Sequence, residues 1–411
     1  MKFARLSALS VAMVLASTAQ ANPLIEDGSF DIHLRNYYKN NKVASNSGNQ
    51  WAQAISANYA SGFFGNVLGF DLGGHYALKL KADTENANPG LLPVNSSDKN
   101  KSSSYGKTSY AVKVNLMDMG VAKYGRMFMD TPLLKDNYSR SLPSLTEAFY
   151  AEGAFQGASL YGIWATKANH RTESGFDRLM VNGKKQSVKV LGGGYDFDNG
   201  LTADVAAGQQ SDYARRYYLA AAYVANVQNI NVTSDFKFGR NSRIGFSKQA
   251  DEGNSQNTWG LSVKADVQQA SVGLSYQTVS KTDVGSYNTQ WSGQDMSSGD
   301  MTGYFGPHDL MIGNFAGNGQ NSWGINAGYN FAGMVDGFSV SAVFVKGKIN
   351  PKGASGTDES EYNLVAGYEV PQVENLNLSA LYGKNTKKPD AGNKTTSSEV
   401  RLIVKYDMSV F

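Results

Sequence analysis

The stretch EVRLIVKYDMSVF (residues 399–411) alternates between two kinds of side chain. From Val400 onward every second residue is apolar or aromatic, whereas Arg401, Lys405 and Asp407 lie between them. A period of two indicates a β-strand, because successive side chains of a strand point to opposite faces of its sheet. The fold therefore depends on which face of this strand meets water.

The same alternation recurs along the chain, so the last strand is one of a series. Examples are GFDLGGHYALKL (69–80), INVTSDFKF (230–238), SWGINAGYNF (322–331) and LNLSALY (376–382). In each run the apolar face carries no charge. The runs are about 8 to 12 residues long, the length that a tilted membrane-spanning strand requires. Aromatic residues such as Trp259 cap the apolar faces, as in the interfacial girdles of membrane barrels.

The connections between runs are of two kinds. The segments 196–200 and 333–337 are tight turns with Asp, Asn and Gly at their tips. Other connections are long, polar and rich in Ser, Gly, Asn and Lys: 81–107, 168–185, 280–320 and 384–398. Short turns on one side and long loops on the other are typical of a bacterial outer-membrane barrel.

These observations predict an all-β fold, a transmembrane antiparallel β-barrel of about 18 strands. A strand that faces hydrocarbon cannot leave backbone groups unpaired, so the sheet must close, and the strand near 30–37 should pair with the strand near 400–410. A barrel of this size has a lumen too wide for side chains to fill. We therefore expect the apolar faces to meet lipid and the charged faces to line water.

The start of the chain predicts export. Residues 1–21 combine Lys2 and Arg5 with an apolar run and an Ala-Gln-Ala site, the pattern of a secretory signal peptide. We expect 22–411 to form a single barrel domain in the bacterial outer membrane. Without the leader, 36 basic residues face 35 acidic ones, which predicts no nucleic-acid partner. The absence of cysteine excludes disulfides and thiolate metal sites.

Two other functions of a barrel compete with that of a channel. The first is that of an outer-membrane lipase or protease. A lipase of this type needs Ser, His and a polar orienting group close together on the lipid face. Here His33 and His75 share the inner face and point away from lipid, and His170 and His308 lie in loops. We therefore expect no enzyme. An adhesin that acts through the long loops remains open.

Two local patterns suggest ligands but predict none. Gly192-Gly193-Gly194 lacks the strand–loop–helix setting and the Lys-Ser/Thr tail of a phosphate-binding loop. Asp295, Asp300 and Asp309 match no calcium-loop spacing, and we expect them in a solvated surface loop. No cofactor or metal is predicted.

Several stretches together resemble the OprD (Occ) family of substrate-selective outer-membrane porins. They are IEDGSFDIHLRNYY (25–38), YGRMFMDTPLLKDNYSRSLPS (124–144), DYARRYYL (212–219), QNSWGINAGYNFAG (320–333) and the terminal strand. The resemblance implies a monomer or loose homotrimer with an inward-folded constriction loop, which we place at residues 130–147. It also implies passive, partly selective diffusion of small hydrophilic solutes such as amino acids, small carboxylates, short sugars or peptides.

In this family a ladder of basic residues on the wall guides the solute. The resemblance places Arg35, Arg126, Arg140, Arg215 and Arg401 at family positions, and alternation puts Arg35, Arg401 and Lys405 on the lumenal side. The parity of Arg126 is ambiguous, because its strand bends toward the loop. Late strands such as VSAVFVKG (340–347) carry no arginine, so a thinned ladder and a neutral or amphoteric solute are expected.

The predicted partners outside the lumen follow from the location. They are outer-membrane lipid and lipopolysaccharide, and the barrel-assembly machinery during insertion. Phe411 is similar to the terminal aromatic residue that this machinery reads, although the alternation of the last strand is displaced by one residue from the usual phase.

Overall fold

A computed structural model describes residues 23–411 except 43–46, 84–89, 94–101, 118, 249–253, 283–284, 294–300 and 304–305. The predicted signal peptide, Asp295 and Asp300 lie outside the described residues. Among those that are described, no helix has the length and apolar character needed to cross a bilayer.

A short helix, α1 (Pro23–Glu26), precedes the wall strands of one large sheet. In chain order the strands are β1 (Ser29–Lys42), β2 (Gly48–Ala60), β3 (Leu68–Ala82), β4 (Ser104–Asn115), β5 (Gly120–Met127), β6 (Leu145–Phe155), β7 (Ala158–Asn169), β8 (Val188–Asp196), β9 (Leu201–Gln210), β10 (Ala214–Val227), β11 (Ile230–Arg243), β12 (Ser255–Val267), β13 (Ala270–Val279), β14 (Asn321–Asn330), β15 (Phe338–Ile349), β16 (Thr357–Glu369), β17 (Leu376–Pro389) and β18 (Thr395–Ser409). Two-residue strands lie in the connections: Asp130–Thr131, Leu134–Lys135, Asp177–Arg178, Met180–Val181 and Lys184–Lys185.

The sheet closes on itself, as predicted. Every strand pairs antiparallel with its neighbour in the chain, and β1 pairs with β18 from Asp31 opposite Ser409 to Lys42 opposite Ser398. The result is an 18-strand antiparallel barrel in which the wall strands have no free edge, the condition that a lipid environment sets.

The two faces of the last strand, β18, differ in their surroundings. Leu402 and Val404 lie on the outside with 48% and 37% of their surface exposed, whereas Glu399 on the other face is 7% exposed against loops inside the barrel. The apolar side chains therefore point to lipid and the charged ones to the lumen. Aromatic pairs such as Trp259 with Tyr276, with ring centroids 5.4 Å apart, lie on the outer face, as expected of an interfacial girdle.

The long and short connections alternate as predicted, with one correction. The segment 384–398 is not a long loop, because β17 runs to Pro389 and β18 begins at Thr395. Polar residues such as Lys384 and Thr386 continue the period of two in a paired hairpin. Polarity alone did not distinguish a strand that extends past the apolar band from a loop.

The apolar core lies inside the barrel. The first inner loop (residues 128–144) and the described residues of the second inner loop (residues 280–320) pack against each other and against the wall. One buried cluster joins them to β7, β8 and β10: Met129, Leu133, Leu134, Trp291 and Met301 pack with Ile163, Val188, Val190 and Tyr218. A second cluster packs Leu142 of the first inner loop with Tyr37, Leu91 and Leu92.

Candidate solute passage

An arginine ties the first inner loop to the inner face of β1. Nη1 of Arg35 donates to the carbonyl oxygens of Tyr138 at 2.9 Å and of Arg140 at 2.7 Å. The Arg35 guanidinium also lies 4.7 Å from the centre of the Tyr138 ring, and the Tyr37 hydroxyl donates to the Ser139 carbonyl at 3.3 Å. Hydrogen bonds from a charged donor are stronger than neutral ones, so Arg35 positions the loop.

A buried carboxylate shapes this loop from within. Asp136 accepts hydrogen bonds from the Met129 backbone at 2.9 Å and from the hydroxyls of Ser144 and Thr146, both at 3.1 Å. Because Thr146 belongs to β6, these bonds join the two ends of the loop to the wall. The segment predicted as 130–147 is therefore an inward-folded loop, although it ends at residue 144, where β6 takes over.

The second inner loop is held against the wall by Trp291 and Arg216. Nε1 of Trp291 donates to the Leu133 carbonyl of the first inner loop at 2.7 Å. The Arg216 guanidinium of β10 lies 3.9 Å from the centre of the Trp291 ring and donates to the carbonyls of Thr289 and Gln290. A buried guanidinium that donates to backbone carbonyls and stacks on an aromatic ring makes strong contacts, so Arg216 fixes this part of the loop to the wall.

The two inner loops are also joined through their backbones. The Lys135 amide donates to the Thr302 carbonyl at 2.8 Å, and the Thr302 amide returns a bond at 3.2 Å. The prediction of a solvated surface loop at 280–320 is therefore wrong for its described part. Its aromatic anchors Tyr287, Trp291 and Phe315 are buried, and their polar partners on the wall are not visible as a sequence pattern.

Glu361 of β16 holds the far end of the second inner loop. Its carboxylate accepts from the backbone amides of Ile312 at 3.0 Å and Gly313 at 2.7 Å, and from the Nδ2 atoms of Asn363 at 2.8 Å and Asn385 at 3.0 Å. Glu361 itself is fully buried. A buried carboxylate is stable only with such partners. The loop amides therefore supply hydrogen bonds that Glu361 requires, and Glu361 in turn fixes the loop against the wall.

The backbone approaches the wall closely at the same place. A Cβ atom on Gly313 would lie 2.8 Å from Nδ2 of Asn385 and 2.9 Å from Oε1 of Glu359. Glycine is thus the residue that lets the loop reach these wall groups. Nη2 of Arg401 adds a bond to the Met311 carbonyl at 3.0 Å.

His308 is a further anchor of the second inner loop. Its ring nitrogens contact the hydroxyls of Ser275 at 2.9 Å and Ser322 at 2.7 Å, and its backbone amide donates to Gln277 at 3.0 Å. Burial lowers the pKa of His308 to about 4. The imidazole is therefore neutral at pH 7, and it joins β13 and β14 to the loop without adding a charge to the lumen.

Cations line the seam between β1 and β18. Arg35 lies opposite Lys405, and Lys39 lies opposite Arg401. The carboxylate of Glu399 contacts both members of the second pair, Lys39 at 3.1 Å and Arg401 through a hydrogen bond, and so offsets one of their two charges. Like charges directly opposite each other destabilise a sheet. The seam thus carries a net positive charge that does not stabilise the fold, which indicates a role in the lumen.

The first inner loop carries this positive charge further along the lumen. Burial and then the charge of Arg171 lower the pKa of Arg140 to about 10, which leaves it protonated at neutral pH. Among the described residues, Nη1 of Arg140 bonds within the loop, to the carbonyl and hydroxyl of Ser139. Of the predicted site residues, the structure thus brings Arg35, Arg140, Arg401 and Lys405 together on one side of the lumen.

A cavity of about 550 Å³ lies between the first inner loop and the wall strands β1 to β5. Arg35, Lys405 and Asp407 are among the residues that line it. His33 contacts Asp407 at 2.7 Å, so this part of the cavity is mixed in charge. In the described part of the chain no group of three or more acidic or histidine side chains is placed to hold a metal ion.

Arg215 does not line the lumen, contrary to the prediction. It is exposed on the same face of β10 as Tyr217 and Leu219, whereas Arg216 and Tyr218 are 2% and 8% exposed on the inner face. A shift of one residue moves a side chain through the wall. The lumenal arginine of this stretch is therefore Arg216.

The prediction that Arg126 guides the solute in the lumen is also corrected. It borders the cavity, but its guanidinium pairs with Glu147 at 3.1 Å and lies 4.1 Å from the centre of the Phe176 ring. Its partner on β4 is Tyr110, which shares a face with Val112, a residue 55% exposed. The register therefore places the Arg126 side chain on the outer face near the rim.

Sequence reasoning missed Lys39, Arg216 and Glu361. Alternation within LRNYYK (residues 34–39) puts Lys39 in phase with Arg35, so this residue could have been found. Glu361 also shares the phase of Glu359 and Glu369 on its strand, but its role depends on a loop that is distant in sequence.

The comparisons with known proteins agree with this geometry. The profile described as "outer membrane porin, OprD family" matches residues 22–410. Porin D of Pseudomonas aeruginosa is 28% identical over 396 residues, which cover 89% of this chain and 85% of that protein.

Solved structures show the same fold. The structure of Pseudomonas aeruginosa OpdK with vanillate has a TM-score of 0.81 at 23% identity and covers 94% of this chain and 100% of that one. Acinetobacter baumannii OccAB2 has a TM-score of 0.83 at 20% identity, with 95% of this chain and 100% of that chain covered.

Proposed function

We propose that this chain, which belongs to the OprD family of outer membrane porins, favours small solutes that carry a carboxylate. The chain is a channel of the bacterial outer membrane for passive, partly selective diffusion of small hydrophilic solutes. The matching family is one of porins and the relative Porin D is a porin, and the comparisons support neither the enzyme nor the adhesin alternative.

The observation that carries the proposal is the pair of like-charged contacts across the β1–β18 seam. Arg35 faces Lys405 and Lys39 faces Arg401. Glu399 contacts Lys39 and Arg401, and Asp407 lies near Lys405, so the carboxylates offset only part of the four positive charges. A row of one charge sign sets the selectivity of a pore. In this proposal a carboxylate passes along the row from Arg140 to Lys405, and no cofactor or energy source takes part.

The lumen also carries acidic groups, which favour an amphoteric solute such as an amino acid over a simple anion. Asp407 lies beside His33, and Asp71 bonds Lys113 at 2.7 Å and Lys123 at 2.8 Å. Vanillate, the compound named with the OpdK structure, is also a carboxylate. The inner loops form the constriction in this proposal, and the protein acts as a monomer or loose homotrimer.

Replacing Arg140 with Ala should shift the reversal potential in a planar bilayer toward cations. We expect the anion/cation permeability ratio to fall roughly fivefold, because a unit charge beside a narrow aqueous passage contributes on the order of 1 kcal/mol. Arg140→Lys should retain most of the anion preference. Arg215→Ala, on the outer face, should change nothing. An unchanged reversal potential and unchanged competition by amino acids in Arg140→Ala would remove Arg140 from the passage.

A further inference from the structure

The outer wall near the long loops carries cations that the channel does not use. Lys189 on β8, Arg215 on β10 and Arg240 on β11 are all exposed. Each shares its face with lipid-facing residues, as Arg215 does with Leu219. They point away from the lumen, so solute passage gives no reason for them.

The register places these three cations side by side. Gln209 of β9 pairs with Lys189 on one side and with Arg215 on the other. Arg240 pairs with Tyr217, two residues from Arg215 on the same face. Because neighbouring strands lie about 4.8 Å apart, the three long side chains can reach one group. We name Lys189, Arg215 and Arg240 the outer basic patch.

In the described part of the chain, no acidic side chain forms an ion pair with the patch. Nε of Arg215 donates to Gln209 at 3.1 Å, which aligns the guanidinium along the wall and leaves its terminal nitrogens available. Among the described residues, Arg240 makes long contacts with the hydroxyls of Ser242 at 3.4 Å and Ser255 at 3.5 Å. Among the described ion pairs, none involves a residue of the outer basic patch.

Aromatic residues show where the patch lies relative to the membrane. Tyr217 is next to Arg215 on the outer face of β10, toward the short turns, and Phe238 holds the same relation to Arg240 on β11. Trp164 pairs with Lys189. Aromatic side chains of this kind mark the membrane interface. The outer basic patch is therefore at the level of lipid headgroups, at the end with the long loops, which faces the outside of the cell.

We propose that the outer basic patch binds the phosphate groups of the glycolipid of the outer leaflet, lipopolysaccharide. Two arginines offer planar donor pairs that match phosphate oxygens, and Lys189 adds a point charge. The aliphatic parts of the three side chains lie along the apolar wall while their charged ends reach the headgroup level. The adjacent apolar band provides a surface for the acyl chains.

Native mass spectrometry of the detergent-solubilised protein with added lipid A, the phosphorylated anchor of lipopolysaccharide, tests the proposal. Each interfacial cation contributes about fivefold in affinity. The triple variant Lys189→Gln/Arg215→Gln/Arg240→Gln should therefore bind bisphosphorylated lipid A roughly 100-fold more weakly. Wild-type protein should show a similar loss with lipid A from which both phosphates have been removed. Retained heat-modifiable migration on a gel confirms that the variant barrel is folded.

The control is Lys237→Gln, a cation on the lumenal face of β11, which should bind lipid A as the wild type does. Equal lipid A binding by the triple variant and the wild type would overturn the proposal. So would equal binding of dephosphorylated lipid A, which would show attraction of the acyl chains alone. Full displacement of lipid A by millimolar inorganic phosphate would also contradict it, because the site would then hold a free anion rather than a lipid.

Discussion

Replacing Glu361 with Leu is expected to release the second inner loop from the wall and to increase single-channel conductance. Leu cannot accept the four hydrogen bonds that Glu361 receives from Ile312, Gly313, Asn363 and Asn385. Buried donors left without an acceptor cost about 1–3 kcal/mol each. The docked state of this part of the loop should lose about 3–5 kcal/mol once relaxation is allowed for.

The measurement is single-channel recording in a planar bilayer at neutral pH. The Leu variant should conduct more, with larger current noise, because the segment near Gly313 no longer lies fixed against the wall. Glu361→Gln retains one acceptor oxygen and similar volume, so its conductance should lie between those of the Leu variant and the wild type. Identical conductance and noise in all three proteins would show that Glu361 does not hold the loop.

Replacing Arg35 with Ala should have the second large effect, because it removes an anchor and a charge together. The variant loses two charged hydrogen bonds to the first inner loop, at 2.9 and 2.7 Å, and the contact with the Tyr138 ring. Together these contribute about 3–6 kcal/mol to loop docking. We expect a wider passage with weaker anion preference.

Conductance and reversal potential separate the two roles of Arg35. Arg35→Lys keeps the charge but cannot reproduce the planar donor geometry of arginine. Its anion preference should therefore be close to that of the wild type, whereas its conductance should remain higher than that of the wild type. Arg215→Ala is the matched control, since this arginine points away from the lumen. If Arg35→Ala conducts and selects ions as the wild type does, the first inner loop does not depend on Arg35.

The barrel was predictable because lipid imposes a simple rule on each strand. An outward residue of the apolar band must be apolar, so the phase of the last strand follows directly from Leu402, Val404 and Met408. The same rule predicted closure between the ends of the sheet, since an open edge has no partner in hydrocarbon. The lumenal placement of Arg35, Arg401 and Lys405 followed from that phase.

The two misplaced arginines show the limit of this rule. In ARRYYL (residues 214–219) tyrosines occupy both faces of the strand, so apolar character does not distinguish the side of Arg215 from that of Arg216. Arg126 lies near the end of a short strand, where the chain turns into the first inner loop. Near the rim the outer face is no longer purely apolar, so the alternation of polar and apolar residues no longer shows which side chains face the lumen.

The second inner loop could not be predicted, because its position is set by contacts distant in sequence. The residues that hold it to the wall include Gln277, Arg216 and Glu361, which lie on three different strands. The loop is rich in Ser, Gly and Asn, as a solvated loop is, but these small polar residues here bond to wall side chains. Composition does not separate the two cases.

The most direct test uses the natural absence of cysteine to scan β18 with single cysteines from position 401 to 408. In this barrel, a charged, water-soluble thiol reagent reaches cysteines at 405 and 407 through the lumen and fails to reach those at 402, 404 and 408 in lipid-embedded protein. Labelling that is uniform along the strand, or that follows the opposite phase, would contradict an apolar outer face and a wet interior.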